Sequence, residues 1–149
     1  LAVARATIIV GDWGGPIARL LIRTRNFFAR DILGAAYGDK TKLTPEVHRQ
    51  YLMPLDNPKG RKGNWTFPKE VIGSSEWLQS LWDRRAKLDG ATIVFAWGTK
   101  DIAFHQKELT RWMDAYPRAR VVRFEGAGHF LAEEAPAELV AAIRMVLPR

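Results

Sequence analysis

Three polar residues stand in glycine-bearing turns: Asp12 in Gly11-Asp12-Trp13-Gly14-Gly15, Asp101 in Gly98-Thr99-Lys100-Asp101, and His129 in Gly126-Ala127-Gly128-His129. Their types suit one chemistry. A carboxylate raised on a tight elbow is a nucleophile that forms an ester with the carbon it attacks, and backbone N–H groups of the next turn point at the same space. An imidazole is the general base that works near neutral pH. A second carboxylate accepts the other ring N–H, fixes the tautomer and stabilises the imidazolium. Water activated by the imidazole then hydrolyses the ester. No serine competes for the nucleophile's place, because Ser74, Ser75 and Ser80 all lie outside Gly-flanked elbows. The absence of Cys excludes a thiolate nucleophile, disulfides and thiolate zinc sites.

Strands must hold these turns. Thr7-Ile8-Ile9-Val10 is a β-branched apolar run that ends at the first turn, and Pro16 beyond it suits the start of a helix. Ala91 to Trp97 and Arg120 to Phe124 read as strands that lead into Asp101 and His129. Helices are predicted over Gln106–Tyr116, closed by Pro117, and over Glu133–Leu147, with Pro136 in its first turn. Strand and helix alternating at this spacing imply an α/β fold with parallel strands and right-handed crossovers. The three polar residues then sit past the C-terminal ends of parallel strands, the edge where open α/β sheets bind ligands.

The stretch between is different. Arg19 to Leu33 reads as an amphipathic helix with a basic face. Thr44-Pro45-Glu46 opens another helix, and Ser74-Ser75-Glu76 opens a third that runs towards Leu88. Pro54 to Pro68 holds three Pro and two Gly and reads as mostly loop. The organisation is therefore a core strand and elbow in 1–18, a helical insertion in 19–88, and core strands and helices in 89–149. His48 and His105 read as surface residues.

Composition narrows the class. The chain has 149 residues, 47% hydrophobic and 26% charged, which is enough for one globular domain. No apolar run approaches the ~18 residues of a membrane span. The net charge of +7 is concentrated in 19–62, where ten Lys or Arg face four Asp or Glu. Without a Gly/Arg repeat or a nucleic-acid module, this excess reads as a solvated helix face. The lack of Cys fits a reducing compartment, and the expected location is cytoplasmic.

Val10-Gly11-Asp12-Trp13-Gly14-Gly15-Pro16, Trp97-Gly98-Thr99-Lys100-Asp101 and Gly126-Ala127-Gly128-His129-Phe130 together resemble the α/β-hydrolase superfamily. Asp followed by Trp at the elbow resembles its haloalkane dehalogenases, and 19–88 is similar to their cap domain. The resemblance implies Asp12 as nucleophile, His129 as base and Asp101 as third triad member. It implies that Trp13 donates its indole N–H to the departing halide and its backbone N–H to the oxyanion hole. The implied activity is hydrolytic dehalogenation of a small apolar halogenated substrate, with water and halide as the other partners. No metal, organic cofactor, nucleic acid or membrane is implied. Epoxide hydrolases share the triad and add cap tyrosines, so Tyr37 and Tyr51 keep that reading open. Gly11, Asn26-Phe27-Phe28 and Thr66-Phe67-Pro68 look more like a dehalogenase.

The sequence also departs from the family. Several strands normally precede the nucleophile strand, with a second halide donor after an early one. A full helix and another core strand normally separate the elbow from the cap. The chain therefore reads as a fragment or internally deleted copy with three core strands. Its unpaired sheet edges predict self-association. An inactive remnant that associates with a partner is the competing reading from another class.

Overall fold

The computed structural model describes residues 15–147. The first predicted strand, over Thr7–Val10, and the elbow with Asp12 and Trp13 lie outside that range. In chain order the helices and strands are α1 Pro16–Arg25, a π-helical turn Phe28–Ile32, α2 Leu33–Ala36, α3 Pro45–Leu52, α4 Lys62–Gly73, α5 Ser75–Asp83, β1 Val94–Gly98, α6 Gln106–Ala115, β2 Arg120–Phe124, α7 Leu131–Glu134 and α8 Pro136–Arg144. Short 3-10 turns cover Lys40–Lys42, Met53–Leu55 and Arg85–Leu88. Among the described residues no helix is long and apolar enough to cross a membrane.

The described residues form two compact units. The first comprises residues 15–33 and Pro45–Ala86. It is wholly helical, as the absence of strand patterns predicts. Pro16 occupies the first turn of α1, where its missing N–H would have no partner anyway. The predicted helix from Arg19 to Leu33 is broken at Asn26, which adopts the left-handed conformation at φ 52° while its N–H still bonds the Ile22 carbonyl at 3.1 Å. Asn tolerates that conformation better than most residues. Its side chain is buried and donates to the Leu55 carbonyl at 3.2 Å. Arg61 is also buried. Its guanidinium donates to the carbonyls of Leu55 at 2.7 Å, Arg23 at 2.5 Å and Asp56 at 2.7 Å. A cation at the C-terminal end of α1 also complements that helix's dipole.

The predicted loop over Pro54–Pro68 is helical from Lys62, and Pro68 lies inside α4. Pro in a helix interior forfeits one ladder bond. Packing outweighs this, because α4 lies against α1 and the Arg19 guanidinium stacks 4.2 Å from the Trp65 ring centre. His48 is not a free surface residue. Its Nε2 lies 2.8 Å from the Ala29 carbonyl, placed to donate to it.

The second unit comprises Gly34–Thr44 and residues 87–147. β1 and β2 pair in parallel, from Val94 opposite Arg120 to Gly98 opposite Phe124, with α6 in the crossover. Phe124, Ala127 and Ala142 form the centre of its core, with Ala96, Val122, Leu131, Ala135 and Leu139 packed around them. Leu109 of α6 is fully buried, worth about 1.5–3 kcal/mol relative to an exposed side chain. The single helix predicted over Glu133–Leu147 is two pieces, α7 and α8, separated at Ala135 where Pro136 begins a new first turn. Gly34–Thr44 falls inside the range read from the sequence as the insertion, yet it groups with residues 87–147 and bonds to His129 and Glu134.

Candidate active site

β1 ends at Gly98, and the turn beyond it carries Asp101. β2 ends at Phe124, and the turn beyond it carries His129. Backbone bonds tie the two turns together. Thr99 N–H donates to the Phe124 carbonyl at 3.2 Å, and Lys100 N–H donates to that of Ala127 at 2.9 Å. The Thr99 hydroxyl accepts from Gly126 N–H at 3.0 Å. Gly126 opens the second turn at φ 83°, a conformation that disfavours any residue with a Cβ.

This frame brings the imidazole of His129 onto Asp101. Nδ1 lies 3.1 Å from one carboxylate oxygen and 3.0 Å from the other. The contact fixes Nδ1 as the protonated nitrogen and leaves Nε2 as the basic one. The Asp101 side chain is 10% exposed and that of His129 is 35% exposed, so the acid is shielded and the base is accessible. Asp101 Oδ1 also accepts from the N–H groups of Ala103 at 2.7 Å and Phe104 at 3.0 Å. The same carboxylate thus shapes its own loop and sets Phe104 beside the imidazole, with ring centres 5.5 Å apart. Phe130 meets the imidazole edge-on at 5.4 Å, and Tyr37 stacks on Phe130 at 4.9 Å.

Of the four site residues read from the sequence, the structure brings together Asp101 and His129. Asp12 and Trp13 lie outside the described residues. Sequence reasoning missed the segment that backs the histidine loop. His129 N–H donates to the Ala36 carbonyl at 2.9 Å. Glu134, only 6% exposed, accepts from Gly128 N–H through Oε1 and from Gly38 and Asp39 N–H through Oε2, each at 2.9 Å. The Tyr37 hydroxyl donates to Glu133. Two adjacent glutamates closing a short helix carry no pattern that separates a buried clamp from a solvated face.

Three glycines make this packing close. A Cβ on Gly38 would lie 2.6 Å from Ala127 C and from Gly128 N. One on Gly98 would lie 2.7 Å from the Ala127 oxygen and closer still to that of Gly128. One on Gly128 would lie 3.0 Å from Tyr37 C. Among the described residues no group of three or more His, Asp or Glu side chains is placed to hold a metal ion.

Comparisons with known proteins agree with this architecture. The chain is 31% identical over 146 residues to a cis-3-alkyl-4-alkyloxetan-2-one decarboxylase of Xanthomonas campestris, covering 94% of this chain and 45% of that protein. It is 28% identical over 130 residues to haloalkane dehalogenase 2 of Mycobacterium bovis, covering 86% of this chain and 45% of the relative. The chain thus spans under half the length of these curated relatives. The crystal structure of DBJA superposes with a TM-score of 0.70 at 19% identity, over 98% of this chain and 53% of that one. The model of the alpha/beta hydrolase family matches residues 2–143, and with the strand-end Asp–His pair in place the chain belongs to that family.

Proposed function

We propose that this chain carries the triad of a hydrolase that removes halide from aliphatic carbon through an aspartyl ester. The observation that carries the reading is the Asp101–His129 contact at 3.0 Å on the ends of adjacent parallel strands, in a chain whose elbow motif is Gly11-Asp12-Trp13. A carboxylate oxygen of Asp12 attacks the halogen-bearing carbon, and the carbon–oxygen bond forms as the carbon–halogen bond breaks. The halide departs with the electron pair towards the indole N–H of Trp13. His129 Nε2 then takes a proton from water, and the hydroxide attacks the carboxyl carbon of the ester. The tetrahedral intermediate collapses, the imidazolium protonates the leaving alkoxide, and Asp12 is restored. Asp101 holds Nδ1–H throughout and balances the imidazolium charge. Water enters, and alcohol, halide and one proton leave.

The relatives named haloalkane dehalogenase support this substrate class. A second reading has support from the relative named as an oxetan-2-one decarboxylase. The same carboxylate would open a strained four-membered lactone in place of displacing a halide. The epoxide hydrolase reading loses one of its two cap tyrosines, since Tyr37 belongs to the second unit and donates its hydroxyl hydrogen bond to Glu133.

The test is bromide release from 1,2-dibromoethane by the purified chain beside D12A. Release that D12A abolishes is the expected result. No bromide, or release that persists in D12A, overturns the dehalogenase reading. Asp12-dependent CO2 release from a dialkyl oxetan-2-one would move the assignment to the second.

A further inference from the structure

Glu134 is an acidic side chain that is almost fully enclosed, and it is held by backbone amides. It accepts from three backbone N–H groups on two separate segments, Gly128 on one and Gly38 and Asp39 on the other. A buried carboxylate is costly unless hydrogen bonds compensate it, and charge-assisted bonds from amides are among the stronger kind. An apolar residue in its place would leave these three N–H groups without their acceptor. The consequence lies one residue away. Gly128 precedes His129, and His129 N–H itself bonds Ala36, next to the segment that Glu134 also holds. The two segments meet backbone to backbone there, since a Cβ on Gly38 would lie 2.6 Å from Ala127 C and Gly128 N.

We propose that Glu134 is the positioning residue of His129: its carboxylate staples the 36–39 segment to the histidine loop, so that Nδ1 meets Asp101 and Nε2 stays the basic nitrogen. This role rests on His129 being the base proposed above. It acts on one step only. Displacement of halide needs Asp12, whereas hydrolysis of the ester needs His129. Loosening the loop slows the second step and spares the first. A purely structural role would lower both together.

The test compares E134Q and E134D with the unmodified chain. In E134Q one carboxylate oxygen becomes an NH2 group. If the remaining oxygen keeps Gly38 and Asp39, the amide faces Gly128 N–H donor to donor. E134D keeps the charge but withdraws it by one methylene. We expect both variants to lose hydrogen-exchange protection at Gly128 and to lose the low-field proton NMR signal of His129 Nδ1–H. With a dibromoalkane, the first-turnover bromide burst stays at one per enzyme while steady-state turnover falls by about a hundredfold, the scale of a small misplacement at a reacting group. If both variants keep the imidazole signal, or if burst and turnover fall in equal proportion, the proposal is overturned. Should the unmodified chain release no bromide, the substrate reading fails, and the exchange and imidazole signals alone decide the positioning role.

Discussion

The substitution G98A tests the packing that holds the loops carrying Asp101 and His129. Gly98 closes β1 and is buried, and its backbone is not in the left-handed region, so alanine brings no conformational penalty there. The penalty is steric. The new Cβ would lie 2.7 Å from the Ala127 oxygen and nearer to that of Gly128, where real Cβ atoms keep at least 3.0 Å. Both obstacles are backbone, which no rotamer change relieves, so the histidine loop must retreat by more than roughly 0.3 Å. That loop is fixed on its far side by Ala36, Gly38 and Glu134. Overpacking of this kind costs about 2 kcal/mol. In a chain of this length that lowers Tm by roughly 4–8 °C. The assay is a thermal melt followed by circular dichroism, with G90A as control, because a Cβ on Gly90 meets nothing within 4 Å. G90A should match or slightly exceed the parent, since losing glycine restricts the unfolded chain. G98A melting within 1 °C of G90A, about what experimental scatter allows, would refute the close-packing argument.

D101N should keep the loop bonds to Ala103 and Phe104 through its carbonyl oxygen but present an NH2 group to His129 Nδ1, which favours the wrong tautomer. Turnover should fall by roughly 10²–10⁴-fold in a steady-state halide assay, and activity near the parent level would exclude Asp101 from the triad. R61A removes the guanidinium from three carbonyls in the helical unit, of which that of Leu55 keeps Asn26 as a donor, and should cost about 3 kcal/mol by urea denaturation, whereas a loss below about 1 kcal/mol would show that water replaces the guanidinium. Asp39 accepts from the Thr41 hydroxyl at 2.7 Å and the Thr41 N–H at 3.0 Å, and these bonds hold its carboxyl below the ordinary 3.8, with Lys42 and Lys100 adding to the effect. A depressed folded-state value means stability that is present above 3.8 and lost as the pH falls through the folded value. The Tm gap between parent and D39A should therefore be full at neutral pH and narrow in acid. A gap that stays constant in acid would contradict this.

How much of this was legible depended on whether the signal was local. Arg120–Phe124 centres on two β-branched valines and forms the strand with those bounds. Helix α6 runs from Gln106 and stops one residue short of Tyr116, because its pattern and Pro117 agree. Asp101 and His129 were readable because strand ends in an α/β sheet converge on one edge, so two turns far apart in sequence point to one place. The break at Asn26 was less visible, since apolar spacing continues through it and only the left-handed backbone marks it. The helix through Pro68 required tertiary packing to override a local breaker. The attachment of Gly34–Thr44 to the core was hidden for a different reason. It depends on Gly38 and Gly128 meeting backbone to backbone and on one carboxylate gathering distant amides. No periodicity records a contact between residues 96 positions apart, such as Gly38 and Glu134.

The central claim is a covalent ester on Asp12 that His129 removes, and the most direct measurement is to trap it. H129A treated with 1,2-dibromoethane should release one bromide per chain and gain one bromoethyl group, found by mass spectrometry on the peptide that contains Asp12. No adduct, or an adduct that also forms when Asp12 is replaced by Ala, would contradict the account.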